Sequence, residues 1–126
     1  CGRVINPLLA TGQVHGGVAM GIGQALYEHA LYDDEGQLVS GSLMDYAMPR
    51  ASQIASMDVG FNEVLDPNNE LGVKGIGEGG ACAAPSAVVL AAIDALSHLG
   101  ITALDMPMTP ERLWRAMNKN SDKNSA

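Results

Sequence analysis

The chain has 126 residues, 47% of them hydrophobic, which is enough for one domain with a core of its own. A formal charge of −7 without a basic cluster argues against nucleic acid as a partner, and no apolar run approaches the ~20 residues of a membrane span. No signal peptide is recognisable, and Cys1 and Cys82 form neither a C-x-x-C pair nor a disulfide framework, so the default location is a reducing cytoplasm.

The predicted elements make an α+β chain. Residues 12–31 carry Val14, Val18, Ile22 and Leu26 at four-residue spacing, one apolar face of a helix. Gly16, Gly17, Gly21 and Gly23 lie inside it, each costing roughly 1 kcal/mol relative to alanine. Glycines tolerated at that cost imply a body packed closely on the helix backbone. A tight turn at Asp34 to Gly36 leads into a short strand at Leu38 and Val39, and residues 42–56 read as an ordered loop holding Tyr46 and Pro49. Residues 57–65 alternate, with Met57, Val59 and Phe61 on one face and Asp58, Gly60 and Asn62 on the other, which predicts a strand. A second helix is expected over 85–99, with Val89, Ile93 and Leu96 buried and Gly100 as its C′ residue. Thr109 as N-cap and Pro110 at the first position open a third, which runs to about Met117. Residues 118–126 form a polar tail with the composition of a disordered segment.

Between the predicted strand and the second helix runs Leu71-Gly72-Val73-Lys74-Gly75-Ile76-Gly77-Glu78-Gly79-Gly80. Glycine permits close backbone approach and positive φ. A lone carboxylate there has little cover, so Glu78 faces a ligand, a neighbouring domain or plain solvent. Gly75, Gly77 and Gly80 also satisfy G-x-G-x-x-G, but a dinucleotide site needs a hydrophobic strand before it and a helix directly after. Here a turn, Asp66-Pro67-Asn68-Asn69-Glu70, precedes it, and Pro85 falls where that helix should be running. A nicotinamide-dinucleotide module is therefore the weakest reading.

His15, His29 and His98 lack metal-binding spacing and read as surface or structural residues, so no protein metal ligand is expected. Cys82 has no evident base and reads as a small buried thiol, while Ser86 falls in a helix first turn.

Several blocks together carry more information than any one motif. Cys1-Gly2-Arg3-Val4-Ile5-Asn6-Pro7, Gly12-Gln13-Val14-His15-Gly16-Gly17, Gly21-Ile22-Gly23-Gln24-Ala25-Leu26, Asp45-Tyr46-Ala47-Met48-Pro49, Lys74-Gly75-Ile76-Gly77-Glu78 and Met106-Pro107-Met108-Thr109-Pro110-Glu111-Arg112 follow one another in the chain. In content and order they resemble the C-terminal part of the molybdenum-binding large subunit of the xanthine dehydrogenase, aldehyde oxidase and aerobic carbon monoxide dehydrogenase family. The resemblance covers nearly everything before Asn118, so residues 1–117 are expected to form the C-terminal segment of a molybdopterin-binding domain. A chain opening at Cys1 directly into family sequence reads as a piece of a longer protein, inactive by itself.

The resemblance implies a role for each candidate. Glu78 matches the glutamate that acts as general base, taking the proton from the oxygen nucleophile that attacks an aldehyde or N-heterocycle carbon. Gln13 matches the glutamine that touches the pterin, and Gly77 lies beside Glu78. Apart from the resemblance, the helix start after Gly80 offers backbone N–H groups from Ala81 and Cys82 through Ala84 as candidates for a cofactor phosphate. Met20 stands where many members have glutamine, which removes one polar contact. The implied cofactor is a molybdopterin-type molybdenum cofactor, in its simple or cytosine-dinucleotide form, with the metal held by the pterin's sulfurs. Iron–sulfur clusters and FAD belong to other subunits or domains. The implied partners are the remainder of the large subunit, an iron–sulfur subunit, a FAD subunit, a small-molecule substrate and, through uncovered apolar surface, a second copy. A marker loop for carbon monoxide oxidation would lie upstream of Cys1. A non-catalytic interaction or assembly module of the same fold is the alternative, distinguished by molybdenum content.

Overall fold

A computed structural model describes residues 1–121. Its elements are α1 (Pro7–Leu26), a 3-10 turn (Ala51–Gln53), α2 (Ala84–Leu96), a second 3-10 turn (Ser97–Leu99) and α3 (Pro110–Ser121). No helix among the described residues is long and apolar enough to cross a membrane.

The first helix starts and ends about five residues earlier than the apolar periodicity predicts. Its start is set by Asn6, whose Oδ1 accepts the Leu9 N–H at 3.1 Å, with Pro7 following in the first turn. The helix ends at Leu26, and the N–H groups of Tyr27 and Glu28 both return to the Gly23 carbonyl at 2.9 Å. The second helix and its 3-10 extension fill the expected span, and Gly100, at φ 74°, closes it in the left-handed region. Thr109 Oγ1 receives the Arg112 N–H at 3.4 Å, and α3 runs through Ser121, four residues past its predicted end. Of the tail expected over 118–126, residues 122–126 lie outside the described residues.

The strands are where the α+β expectation thins out. Tyr32 and Leu38 make an isolated antiparallel bridge around the predicted turn, with Gly36 at φ 80°. Residues 57–65 are extended but form no ladder. Met57, Val59 and Phe61 are half-buried while Asp58, Gly60 and Asn62 are exposed, so the predicted faces hold. The Val64 N–H reaches the Cys1 carbonyl at 3.0 Å, and no further chain segment among those described lies alongside to complete a strand pair.

Packing rests on backbone contact. A Cβ on Gly17 would stand 2.8 Å from the Ala81 nitrogen; one on Gly80 would collide with the Val14 carbonyl; one on Gly21 would stand 2.9 Å from Pro85 Cδ. The helix glycines of α1 thus seat the end of the glycine-rich loop and the start of α2. Gly23 meets Pro49 and the Glu28 carboxylate in the same way, pinning the 42–56 loop to the far end of α1. The Tyr46 hydroxyl donates to Glu28 Oε2 at 2.8 Å, and this bond raises the phenol above its ordinary pKa. Near the middle of α1, His15 Nε2 donates to the Met57 carbonyl at 3.2 Å.

The described core is small: Ala25, Ala84, Ile101 and Met108 are its buried apolar residues. The chain exposes 9035 Å², against about 6,400 Å² for a compact monomer of its size. Leu8 is 81% exposed and Met44 95%, and Leu9, Leu43, Leu90 and Trp114 are also largely open. Such faces associate when left uncovered. The chain in isolation is expected to form oligomers whose mass, by light scattering, rises with concentration; a strictly monomeric species at high concentration would contradict this.

Candidate functional site

The loop carrying Glu78 is anchored on both sides. On entry, the Gly72 carbonyl, with Gly72 at φ 65°, accepts N–H bonds from Arg3 at 2.9 Å and Asp66 at 3.2 Å. The Asn69 amide clamps Val73 through both its backbone groups at 3.0 Å. Gly2 leaves room for this pairing, since a Cβ there would strike the backbone of Gly72 and Lys74. On exit, Gly80 lies directly on the α1 backbone. Between the anchors, Gln13 Nε2 donates to the Gly77 carbonyl at 2.7 Å. That bond joins residues 64 apart in sequence and fixes the peptide next to Glu78.

Glu78 itself is exposed, and its carboxylate has no hydrogen bond or ion pair among the described residues. Its backbone carbonyl is committed, accepting the N–H groups of Ala81 at 3.0 Å and Cys82 at 3.1 Å. The loop therefore presents a free acid on a turn whose shape is set by backbone bonds.

Those same bonds engage the backbone of Ala81 and Cys82. Their N–H groups close the turn on Glu78. Ala81 is half-buried beneath Gly17, and the Cys82 thiol is exposed, not buried as its size and setting implied. Gln13 and Gly77, by contrast, are brought into direct contact. The dinucleotide fingerprint fails on geometry: no strand precedes Gly75, and α2 starts only at Ala84. Among the described residues no three His, Cys, Asp or Glu side chains gather as a metal-binding group.

A groove of about 410 Å³ runs beside this site, between the segment leading into α1, the first half of α1 and the stretch from Val73 to Gly77. Gln13 and Gly77 are among its lining residues, and Ile5, Leu9 and Ile76 supply apolar wall. Gly12, Gly75 and Gly77 have open space where a Cβ would stand, so bare backbone is presented on α1 and on the loop. After its bond to Gly77, the Gln13 amide keeps one N–H and its carbonyl oxygen. A flat heterocycle edged with amide-like donors and acceptors, as a pterin is, fits bare backbone beside a free amide. Arg3 and Lys74 also line this groove and were not among the sequence candidates, although both stand in the blocks that carry the resemblance.

Comparison with known proteins points the same way. A family of molybdopterin cofactor-binding domains matches residues 1–55. The large subunit of nicotine 6-hydroxylase from Paenarthrobacter nicotinovorans is 40% identical over 116 residues, covering 92% of this chain and 14% of that protein. The carbon monoxide dehydrogenase large chain of Hydrogenophaga pseudoflava is 32% identical over 121 residues, 96% of this chain and 15% of that one. Among solved structures, quinoline 2-oxidoreductase from Pseudomonas putida 86 superposes with a TM-score of 0.90 at 43% identity, over 94% of this chain and 15% of that chain. The chain spans about one-seventh of the length of these relatives. By its motifs, its glycine-packed helix pair and these likenesses, the chain belongs to the molybdenum hydroxylase large-subunit family and corresponds to a stretch of its molybdopterin-binding domain.

Proposed function

We propose that residues 1–117 form one wall of a molybdopterin cofactor site and supply Glu78 as the general base for oxidative hydroxylation of an aldehyde or N-heterocycle carbon. The observation that supports this reading is the Gln13–Gly77 bond at 2.7 Å, which ties a side-chain amide of α1 to the peptide that precedes Glu78. Gln13 would hold the pterin edge with its remaining amide groups, and the open backbone at Gly12, Gly75 and Gly77 would admit the ring system. Bound there, the cofactor supplies the redox centre. Glu78 Oε would take the proton from the attacking oxygen, which requires an approach of ~3 Å.

The exposed apolar faces support the remainder of a large subunit as the first partner. An iron–sulfur subunit and a FAD subunit would carry electrons onward, consistent with relatives named as large subunits or chains.

Gln13→Leu tests the cofactor half of the reading in the full-length subunit. Loss of the Gly77 bond, worth about 1 kcal/mol net, and of the pterin contacts should lower molybdenum and pterin content several-fold without unfolding the protein. Full cofactor content in this variant would remove Gln13 from the site.

A further inference from the structure

We propose that the open edge of the extended stretch 57–63 takes, as a parallel neighbouring strand, the segment that precedes Cys1 in the full-length subunit. This rests on the reading of the chain as part of a large subunit and adds to it which segment joins the chain, in which direction and at which register.

The stretch has the properties of a strand that lacks its neighbour. Its side chains alternate, with Met57, Val59 and Phe61 half-buried and Asp58, Gly60 and Asn62 exposed. Its backbone is open: among the described residues no hydrogen bond engages the N–H or C=O of Asp58 and Gly60, or the N–H of Asn62. Nor is the edge blunted. Residues 57–65 contain no lysine or proline, the residues that keep exposed edges from pairing. Gly60 has open space where a Cβ would stand. An edge of this kind offers a row of main-chain hydrogen bonds to an added strand.

Cys1 identifies the occupant. Its nitrogen donates to the Asn62 carbonyl at 3.5 Å, and its carbonyl accepts the Val64 N–H at 3.0 Å. One residue bonded to both neighbours of Glu63 is a rung of parallel pairing; in an antiparallel pair it would exchange both bonds with a single residue. After Cys1 the chain leaves this line. The Arg3 N–H goes to the Gly72 carbonyl at 2.9 Å, the Val4 N–H goes to Glu63 Oε1 at 3.2 Å, and α1 begins at Pro7. The ladder can therefore grow only backward, and a peptide entering Cys1 starts on this edge. Such a tethered segment outcompetes a second copy, which would have to displace it. The chain spans about one-seventh of the length of its relatives, so a full-length subunit has polypeptide to supply. Continued along the same line, the second residue before Cys1 stands opposite Phe61 and the fourth opposite Val59. Its bonds then take up the Asn62 N–H, both groups of Gly60 and the Asp58 carbonyl. Cys1, Gly60 and Asn62 also line a hollow of about 300 Å³ together with Ile76 and Gly79, so the added strand borders the loop that carries Glu78.

The test uses the full-length subunit and two readouts. In wild type, amide hydrogen exchange at Gly60 and Asn62 is expected to run at least ~100-fold slower than in the same sequence unstructured. The second readout is a register-specific disulfide, in a background of Cys1→Ser and Cys82→Ser. Val59→Cys is combined with a cysteine at the fourth residue before Cys1, or with one at the third, which faces the other side of the sheet. On mild oxidation the first pair is expected to close within one chain roughly tenfold faster than the second. Free exchange at Gly60 and Asn62 in wild type overturns the proposal, and so do equal closure rates for the two pairs. A disulfide that forms between chains gives the edge to a second copy and overturns it as well. Should the cysteine variants fail to fold, exchange in wild type decides. Pterin content of the same wild-type preparation judges the cofactor-site reading separately, since strand pairing does not depend on it.

Discussion

In the full-length subunit, Glu78→Gln is expected to cut turnover by ~10²–10⁴-fold, the usual loss on removing a general base, while molybdenum content and folding stay near wild type. The separation of these effects follows from how the loop is built. Its turn is closed by the Glu78 backbone carbonyl, which accepts from Ala81 and Cys82, and glutamine keeps that carbonyl. The carboxylate holds nothing within the described chain, so its replacement breaks no internal bond. The neighbouring peptide is fixed through Gln13, which the substitution does not touch. Were Glu78 merely solvated, activity would survive; were it a structural acid toward another part of the protein, cofactor or protein would be lost together. Near-wild-type turnover at full molybdenum occupancy would end the catalytic reading.

Local signals made most of the helical framework legible, and the misses have local causes too. The periodicity of Val14, Val18, Ile22 and Leu26 found the face of α1 that meets α2 but not its ends. Leu8 and Leu9 lie off that face and are exposed, so the apolar count began too late, although Asn6-Pro7 is a cap followed by a favoured first residue. The expected strand over 57–65 kept its alternation and lost its ladder because side-chain pattern reports faces, whereas pairing needs a neighbour. Within the site, glycine content revealed that something approaches the α1 backbone closely. It did not reveal that this body is the glycine-rich loop itself. The Gln13–Gly77 bond spans 64 residues and is invisible to spacing; it becomes inferable only once Gly17 and Gly80 are known to touch. The backbone bonds of Ala81 and Cys82 are hidden from the sequence for a related reason. The segment before α2 forms a turn of its own, closed by these two N–H groups on the Glu78 carbonyl, before the helix begins at Ala84.

That contact between Gly17 and Gly80 is the joint on which the site depends, and it yields the sharpest structural prediction. Gly17→Ala would put a Cβ 2.8 Å from the Ala81 nitrogen and 3.0 Å from Gly80 Cα. Both obstacles are backbone, so no rotamer change relieves them, and overpacking of this kind costs roughly 1–3 kcal/mol. The helix-propensity gain from replacing glycine by alanine is at most ~1 kcal/mol, so the clash wins. Gly16 is the matched control: it lies one position away in the same helix, with open space where a Cβ would stand. Gly16→Ala therefore collects the propensity gain without the clash and should leave the loop in place or firm it slightly. Gly80→Ala presses on the same joint from the other side, against the Val14 carbonyl, and should reproduce the Gly17 phenotype. In the full-length subunit, amide hydrogen exchange over residues 79–87 is expected to speed up in Gly17→Ala and Gly80→Ala but not in Gly16→Ala. Molybdenum content and turnover should fall with it, because displacing the loop breaks the alignment of Gln13, Gly77 and Glu78 at once. Equal exchange rates in Gly17→Ala and Gly16→Ala would mean that the α1–loop joint does not set the position of the site.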